Sequence, residues 1–312
     1  MRFKGKVVIV TGGSKGIGEG CARVFCREGG LVSILARGPE AGKKLAEELT
    51  AQGPGKAIFI PCDVGQHLQL KEAIEKTVQA FGRLDCIINN AGQHPPAMTI
   101  DETSIEFMEE LMRLNYISTF AGSRYAVPHL RKTRGTIVNI SSMTAVLGQE
   151  HSTAYCATKG AQVSLTKSLA IELGREGIRV NAILPSNIDT PLMRDWAATL
   201  PDPVSALDRV SAMQVFGRMG TIEEMGEVAL FLASDESSFI TGQAIEAEGG
   251  ASLDYCWTMN IMRCRCRRTY LPTHRICEPA EIAKTSICTT RYFHFDSCRL
   301  AIDFQLALRS CF

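Results

Sequence analysis

Thr11-Gly12-Gly13-Ser14-Lys15-Gly16-Ile17-Gly18 follows a short apolar run at 6–10 and opens a segment of helical period at 17–27. Gly12 permits the tight turn, Gly16 lets the backbone approach a pyrophosphate, and Gly18 lets the helix pack on the strand. The helix N-terminus then offers free N–H groups and a partial positive charge. Ser14, Lys15, Ile17 and the three glycines are therefore candidate phosphate contacts. Glycine-rich turns are common, and this one gains its weight from lying between a first strand and a first helix.

Outward from that turn, further short apolar runs rich in β-branched residues fall at 31–35, 57–60, 84–88, 136–140, 179–184 and 243–245. They are apolar on both faces, as parallel strands covered by helices must be. Segments of helical period lie between them at 40–49, 68–81, 104–130, 152–173 and 222–232. This alternation predicts an α/β fold, a Rossmann-like doubly wound parallel sheet of about seven strands flanked by helices, over residues 1–255.

The chain has 312 residues with 34 Lys+Arg against 33 Asp+Glu, and 45% of it is hydrophobic. That excludes a mostly disordered chain and gives no global reason to expect nucleic acid or an anionic membrane as partner. No run approaches the roughly 20 apolar residues of a membrane span. Residues 1–10 lead straight into a strand with no cleavage site, so a cytoplasmic, cytosolic protein is expected. Residues 256–312 hold seven of the 12 Cys and none of the 27 Gly. They read as a cysteine-rich, basic, poorly ordered tail. No pair of C-x2-C knuckles occurs there, so no metal site is expected.

The end of the second apolar run bears on the cofactor. An acidic residue about 20 positions beyond the glycine motif would bind the ribose 2′-OH of NAD. Leu35-Ala36-Arg37 stands there instead. With Lys15 it offers two cations that could hold a 2′-phosphate, which favours NADP(H). Cys62-Asp63-Val64 and Asn89-Asn90-Ala91-Gly92 close the third and fourth runs, at the carboxyl ends where such sheets bind ligands. Asp63 and Val64 are placed near an adenine, and Asn90 and Gly92 along the adenosine ribose.

Tyr155 and Lys159 are spaced i, i+4 on one helix face, and Ser142 precedes Tyr155 by 13 residues. A phenol with a pKa of about 10 is a poor proton relay at neutral pH. A nearby ammonium, together with the positive nicotinamide ring, is expected to favour tyrosinate and bring it into range, while Ser142 holds the substrate oxygen.

Together, residues 11–18, Asp63, Asn89 to Gly92, Asn115, Ser142, Tyr155 and Lys159 resemble the short-chain dehydrogenase/reductase family across 1–255. The resemblance implies NAD(P)(H) binding and Tyr155 as general acid/base. It implies that Lys159 binds the nicotinamide ribose and lowers the tyrosine pKa, and that Asn115 holds a water of the proton relay. Ile188 and Thr190 match positions that contact the carboxamide and phosphates. A homo-oligomer, tetramer or dimer, through the helices at 104–130 and 152–173 is also implied. A narrower resemblance, to the type 14 17β-hydroxysteroid dehydrogenases, rests on Gln93-His94-Pro95-Pro96, Gly148-Gln149, Asn187-Ile188-Asp189-Thr190-Pro191-Leu192 and Gly217-Arg218-Met219-Gly220. It implies NAD(H) as the cofactor and a small apolar substrate, a 17β-hydroxysteroid. His94 and Gln149 would flank the reacting oxygen, Trp196 and Met193 would form a lid, and Tyr255 would close the pocket. Reduction of a 3-oxoacyl thioester, fatty acid or sugar carbonyl is the alternative, as is a non-catalytic dinucleotide-binding regulatory protein. Pro185-Ser186 departs from the family's usual Pro-Gly.

Overall fold

The first strand shows how the core is divided. In β1 (Val7–Thr11) every residue is buried. Successive side chains leave a strand on opposite faces, so Val8 and Val10 enter one apolar layer and Val7 and Ile9 the other. The first layer includes Phe25 of α1 (Gly16–Arg27), Leu49 of α2 (Pro39–Gln52) and Leu230 of α9 (Ile222–Ala233). The second includes Ile74 of α3 (His67–Phe81), Leu130 of α5 (Ser118–Thr133) and Leu173 of α6 (Thr153–Leu173). A sheet covered on both faces has no polar side, which is why its strands read as continuous apolar runs.

The computed structural model describes residues 1–253; Tyr255 and the tail at 256–312 lie outside the described residues. β1 is joined by β2 (Leu31–Ala36), β3 (Lys56–Pro61), β4 (Cys86–Asn89), β5 (Thr136–Ile140), β6 (Arg179–Pro185) and β7 (Ala244–Ala247). The order is β3-β2-β1-β4-β5-β6-β7, and all pairs are parallel. Val8 stands opposite Val32 on one side and Cys86 on the other. Strand order reverses between β1 and β4, and their carboxyl ends open the crevice where such sheets take ligands.

Two segments differ from the sequence reading. The helical period at 104–130 is not one helix. It divides into α4 (Ile105–Met112), a π-helical turn (Arg113–Ile117) and α5. The stretch after Thr190, expected as a lid, consists of the short helices α7 (Pro191–Ala198) and α8 (Pro203–Ala212). Each starts with a capping side chain followed by proline. Thr190 Oγ1 accepts from Met193 N at 3.2 Å, and Asp202 Oδ1 from Ser205 N at 3.0 Å. Among the described residues no helix is long and apolar enough to cross a membrane.

Candidate active site

The glycine turn is held by a clamp across the crevice. Thr11 Oγ1 accepts from Asn90 N at 2.9 Å and Ala91 N at 3.0 Å. In return Asn90 Nδ2 donates to the carbonyls of Thr11 (2.9 Å) and Gly12 (3.2 Å). Both amide hydrogens of Asn90 are thus spent on the backbone of the turn, and only its Oδ1 remains for a ribose. Gly12 and Gly16 have φ of +62° and +59°, a region that favours glycine. A Cβ on Gly18 would run into the Gly12 carbonyl and come within 2.6 Å of Asn90 Nδ2.

Helix α1 begins without a side-chain cap, and Glu19 N bonds back to Lys15 O. The amides of Gly16, Ile17 and Gly18 therefore precede any helical acceptor. Thr190 lies against this end, its Cγ2 3.5 Å from where a Cβ on Gly16 would sit. Ile188 is buried and bridges Gly220, which fixes the chain leading to Thr190. Unpartnered amides, a dipole end and the room left by glycine suit a pyrophosphate, so the residues present fit a dinucleotide. Gly13 N bonds to Leu35 O at 3.3 Å, tying the turn to the end of β2. Lys15 and Arg37 are exposed there and form no ion pair among the described residues. Asp63 Oδ1 accepts from Gly65 N at 3.0 Å, and Val64 packs on the second apolar layer.

The reacting groups gather where β4, β5 and α6 meet. Tyr155 is buried with Leu111 and Ala154, and its ring centroid lies 4.3 Å from that of His94, tilted by 50°. Lys159 Nζ stands 5.7 Å from the Tyr155 centroid. A Cβ on Gly92 would lie 3.8 Å from Lys159 Nζ, so the Gly92 turn borders the same space. Ser142 follows β5 and caps a 3-10 turn (Met143–Ala145), accepting from Thr144 N at 3.2 Å and Thr144 Oγ1 at 3.0 Å.

Burial dominates the electrostatics of this pair. Burial pushes the Tyr155 phenol up to about 12, and the facing Ser142 hydroxyl draws it partly back. Lys159 is not among the groups that shift it. Burial brings the lysine itself down to about 8. Desolvation penalises both charged forms, and here it outweighs the attraction expected from i, i+4 spacing. The phenol is held protonated at neutral pH.

Asn115 lies on the π-helical turn and is buried. Its Nδ2 donates to Gln93 O at 2.9 Å and Thr158 Oγ1 at 3.1 Å, and its Oδ1 accepts from Gln93 N at 2.8 Å. Its backbone carbonyl accepts from Gln162 Nε2 at 2.7 Å and Thr119 Oγ1 at 3.0 Å. Both amide hydrogens are engaged, and so are both lone pairs of the backbone carbonyl, so Asn115 fixes the Gln93–His94 segment, while its Oδ1 accepts from Gln93 N alone and keeps a lone pair. Gln162 carried no signal in the sequence that set it apart from a polar helix surface.

The expected substrate contacts lie around the rim. Met98 N bonds to His151 O at 2.8 Å, which joins the loop of His94 to the loop of Gln149. Gln149 is exposed, and Trp196 is half exposed on α7. Ser186 Oγ donates to Glu248 O at 2.9 Å, so the hydroxyl that departs from Pro-Gly is tied to the chain beyond β7.

Residues 12–252 match the family model described as enoyl-(acyl carrier protein) reductase. The chain is 44% identical over 252 residues to the L-fucose dehydrogenase of Oryctolagus cuniculus, covering 81% of this chain and 87% of that one. It is 36% identical to the meso-2,3-butanediol dehydrogenase of Serratia marcescens, over 81% of this chain and 96% of the relative. Among solved structures, Cj0485 dehydrogenase superposes with a TM-score of 0.75 at 31% identity, covering 80% of this chain and 95% of that one. None of these three carries a steroid name. With the uncapped glycine turn at the β1–β4 crevice and Ser142, Tyr155 and Lys159 beside it, these matches show that the chain belongs to the short-chain dehydrogenase/reductase family of NAD(P)(H)-dependent oxidoreductases.

Proposed function

We propose that this protein moves hydride between NADP(H) and a hydroxyl-bearing carbon of a small polar substrate, a sugar or vicinal diol. The observation that carries this reading is the polar character of the reacting end. Ser142 faces the phenol, Thr144 donates to Ser142, the His94 ring packs on that of Tyr155, and His94 Nδ1 lies 2.8 Å from Pro95 O. A carbonyl only accepts, so Nδ1 carries the hydrogen and Nε2 is left to accept from a second substrate hydroxyl. The names of the sugar and diol dehydrogenases above support the same class.

The bound dinucleotide supplies or accepts the hydride. Lys159 spends two of its three N–H groups inside the protein, on Ile140 O (2.9 Å) and Gln162 Oε1 (3.2 Å), and offers the third to the ribose. Ser142 holds the substrate oxygen. Tyr155, protonated at neutral pH, gives its proton to that oxygen in the reductive direction and regains one from solvent; in the oxidative direction it must first release its proton to solvent and then takes the one on the substrate hydroxyl.

Exposed Val146 and Leu147 after β5, with exposed Leu192 and Trp196 on α7, favour a second reading, a 17β-hydroxysteroid. Steady-state kinetics with L-fucose and 17β-estradiol separate the two. The polar reading expects kcat/KM about 100-fold higher for the sugar, because unpaired polar groups reject an apolar ligand. The reverse ratio installs the steroid. Saturable cofactor binding without turnover across a panel of both classes leaves a dinucleotide-binding regulatory protein.

For the cofactor, Arg37→Ala is expected to raise the Kd of NADPH about tenfold and that of NADH less than about twofold, since one charge-assisted bond to an exposed phosphate is lost. Fluorescence titration reads both. Equal effects would remove the 2′-phosphate contact and return the choice to NAD(H). Exposed Ile117, Phe120 and Ile171 on the helices at 104–130 and 152–173 support the homo-oligomer.

A further inference from the structure

Gln162 is completely buried in α6, three residues beyond Lys159. An amide in such a place costs free energy unless every polar atom finds a partner, and this one does. Its Oε1 accepts from Lys159 Nζ at 3.2 Å. Its Nε2 donates to Asn115 O at 2.7 Å and to Thr119 Oγ1 at 2.8 Å. The bonds continue inward from its own carbonyl. Thr166 Oγ1 donates to Gln162 O at 2.8 Å, Asn139 Nδ2 to Thr166 Oγ1 at 2.9 Å, and Asn89 Nδ2 to Asn139 Oδ1 at 2.9 Å.

Beyond Lys159 this chain contains no titratable group. A carboxamide accepts at one atom and donates from another, so it fixes its neighbours without passing a proton. The ammonium of Lys159 is therefore closed on its inner side. With two of its three N–H groups anchored on Ile140 O and Gln162 Oε1, rotation about the terminal carbon–nitrogen bond is fixed, and the direction of the third is fixed with it.

We propose that Gln162 is a positioning residue of the reaction: it sets the rotation of the Lys159 ammonium and favours its charged form, aiming the remaining N–H at the ribose of the dinucleotide. An apolar side chain at 162 would leave the buried ammonium with one protein acceptor. The inference rests on the reading that Lys159 binds the cofactor, and it is independent of which alcohol is oxidised. Burial already brings Lys159 down to about 8, close enough to neutrality for one bond to matter. The titratable groups near it are Tyr155 and Cys156 on α6 and His94 packed on the Tyr155 ring. β5 contributes the Ile140 carbonyl, and the π-helical turn and α5 contribute the Asn115 carbonyl and Thr119 hydroxyl through Gln162.

The test is the affinity for NADPH and NADH as a function of pH, read by fluorescence titration of the full chain without substrate. In the unaltered protein, binding weakens as Lys159 loses its proton. Gln162→Met removes an acceptor of the ammonium and is expected to move that midpoint down by about one pH unit. Gln162→Glu places a carboxylate beside the ammonium and is expected to move it up by a similar amount. Thr119→Val breaks bonds to Gln162 and Asn115 without touching the lysine contact, and leaves the midpoint within about 0.3 unit. Opposite shifts in the two Gln162 variants with a still midpoint in Thr119→Val establish the role. Unmoved midpoints at 162, or an equal shift in Thr119→Val, overturn it and leave Gln162 as packing. Where Gln162→Met does not fold, Gln162→Glu carries the comparison. If the unaltered protein binds neither dinucleotide, the cofactor reading itself fails. If it binds one and the variants titrate alike, only the role of Gln162 fails.

Discussion

Replacing Tyr155 with phenylalanine is expected to lower kcat by about 10³-fold, within the range that a positioned general acid supplies. The same change is expected to leave the Kd for the dinucleotide within about threefold, since no hydrogen bond from the phenol to the glycine turn exists to be lost. The substitution is clean because the ring, and not the hydroxyl, makes the packing contacts. His94 remains 4.3 Å from the same centroid, Lys159 Nζ 5.7 Å, and Leu111 keeps its apolar neighbour. What departs is the oxygen that faces Ser142. Steady-state turnover together with cofactor fluorescence checks both halves. A variant retaining more than about a tenth of wild-type kcat would remove Tyr155 from proton transfer, because such a loss is far below that of a missing acid.

Gly18→Ala is expected to weaken dinucleotide binding about 100-fold and to destabilise the fold by roughly 1–3 kcal/mol, the usual cost of overpacking a tight contact. The added methyl would meet the Gly12 carbonyl and Asn90 Nδ2, two groups of the clamp that holds β1 to β4. Neither can yield alone. Moving Asn90 gives up its bonds to Thr11 O and Gly12 O, and moving Gly12 disturbs a left-handed turn. The free amides of α1 would then no longer point where the phosphates sit. Urea denaturation and NADPH titration on the same sample check the pair of effects. Wild-type affinity in a stable variant would show that the turn can relax, and would separate the clamp from the binding site.

Much of the fold and of the site is legible in the chain, for identifiable reasons. Both-face burial writes itself into a chain as unbroken apolar runs, so the strands at 31–35 and 136–140 were found almost to the residue. The glycine turn was legible because its residues are chosen for what they lack. Tyr155 and Lys159 could be paired because helical spacing places them together whatever surrounds them. What spacing does not carry is solvation. Burial, invisible in a pair of letters, opposes both charges, pushing the Tyr155 phenol up and the Lys159 ammonium down. Asn115 and Asn90 stand out by position, while their partners are backbone atoms distant in sequence, so the bonds that hold them are not legible in the chain. Gln162 escaped notice because one polar residue between alanine and valine looks like a solvated helix face. The helices α7 and α8 have local signals, Thr190-Pro191 and Asp202-Pro203, a capping side chain followed by proline in each case.

The π-helical turn at Arg113–Ile117 has one further consequence. It inserts an extra position into what is otherwise a continuous rod, so everything after it is rotated relative to an ideal α-helix. That offset puts the Asn115 carbonyl within reach of Gln162 while Leu130 still meets the sheet. Deleting any one residue between 113 and 117 would restore regular winding and withdraw that carbonyl into the ladder. The length of this stretch is therefore as much a part of the site as the Asn115 side chain it carries, and a one-residue deletion there is expected to disturb the Gln162 contact even with Asn115 kept.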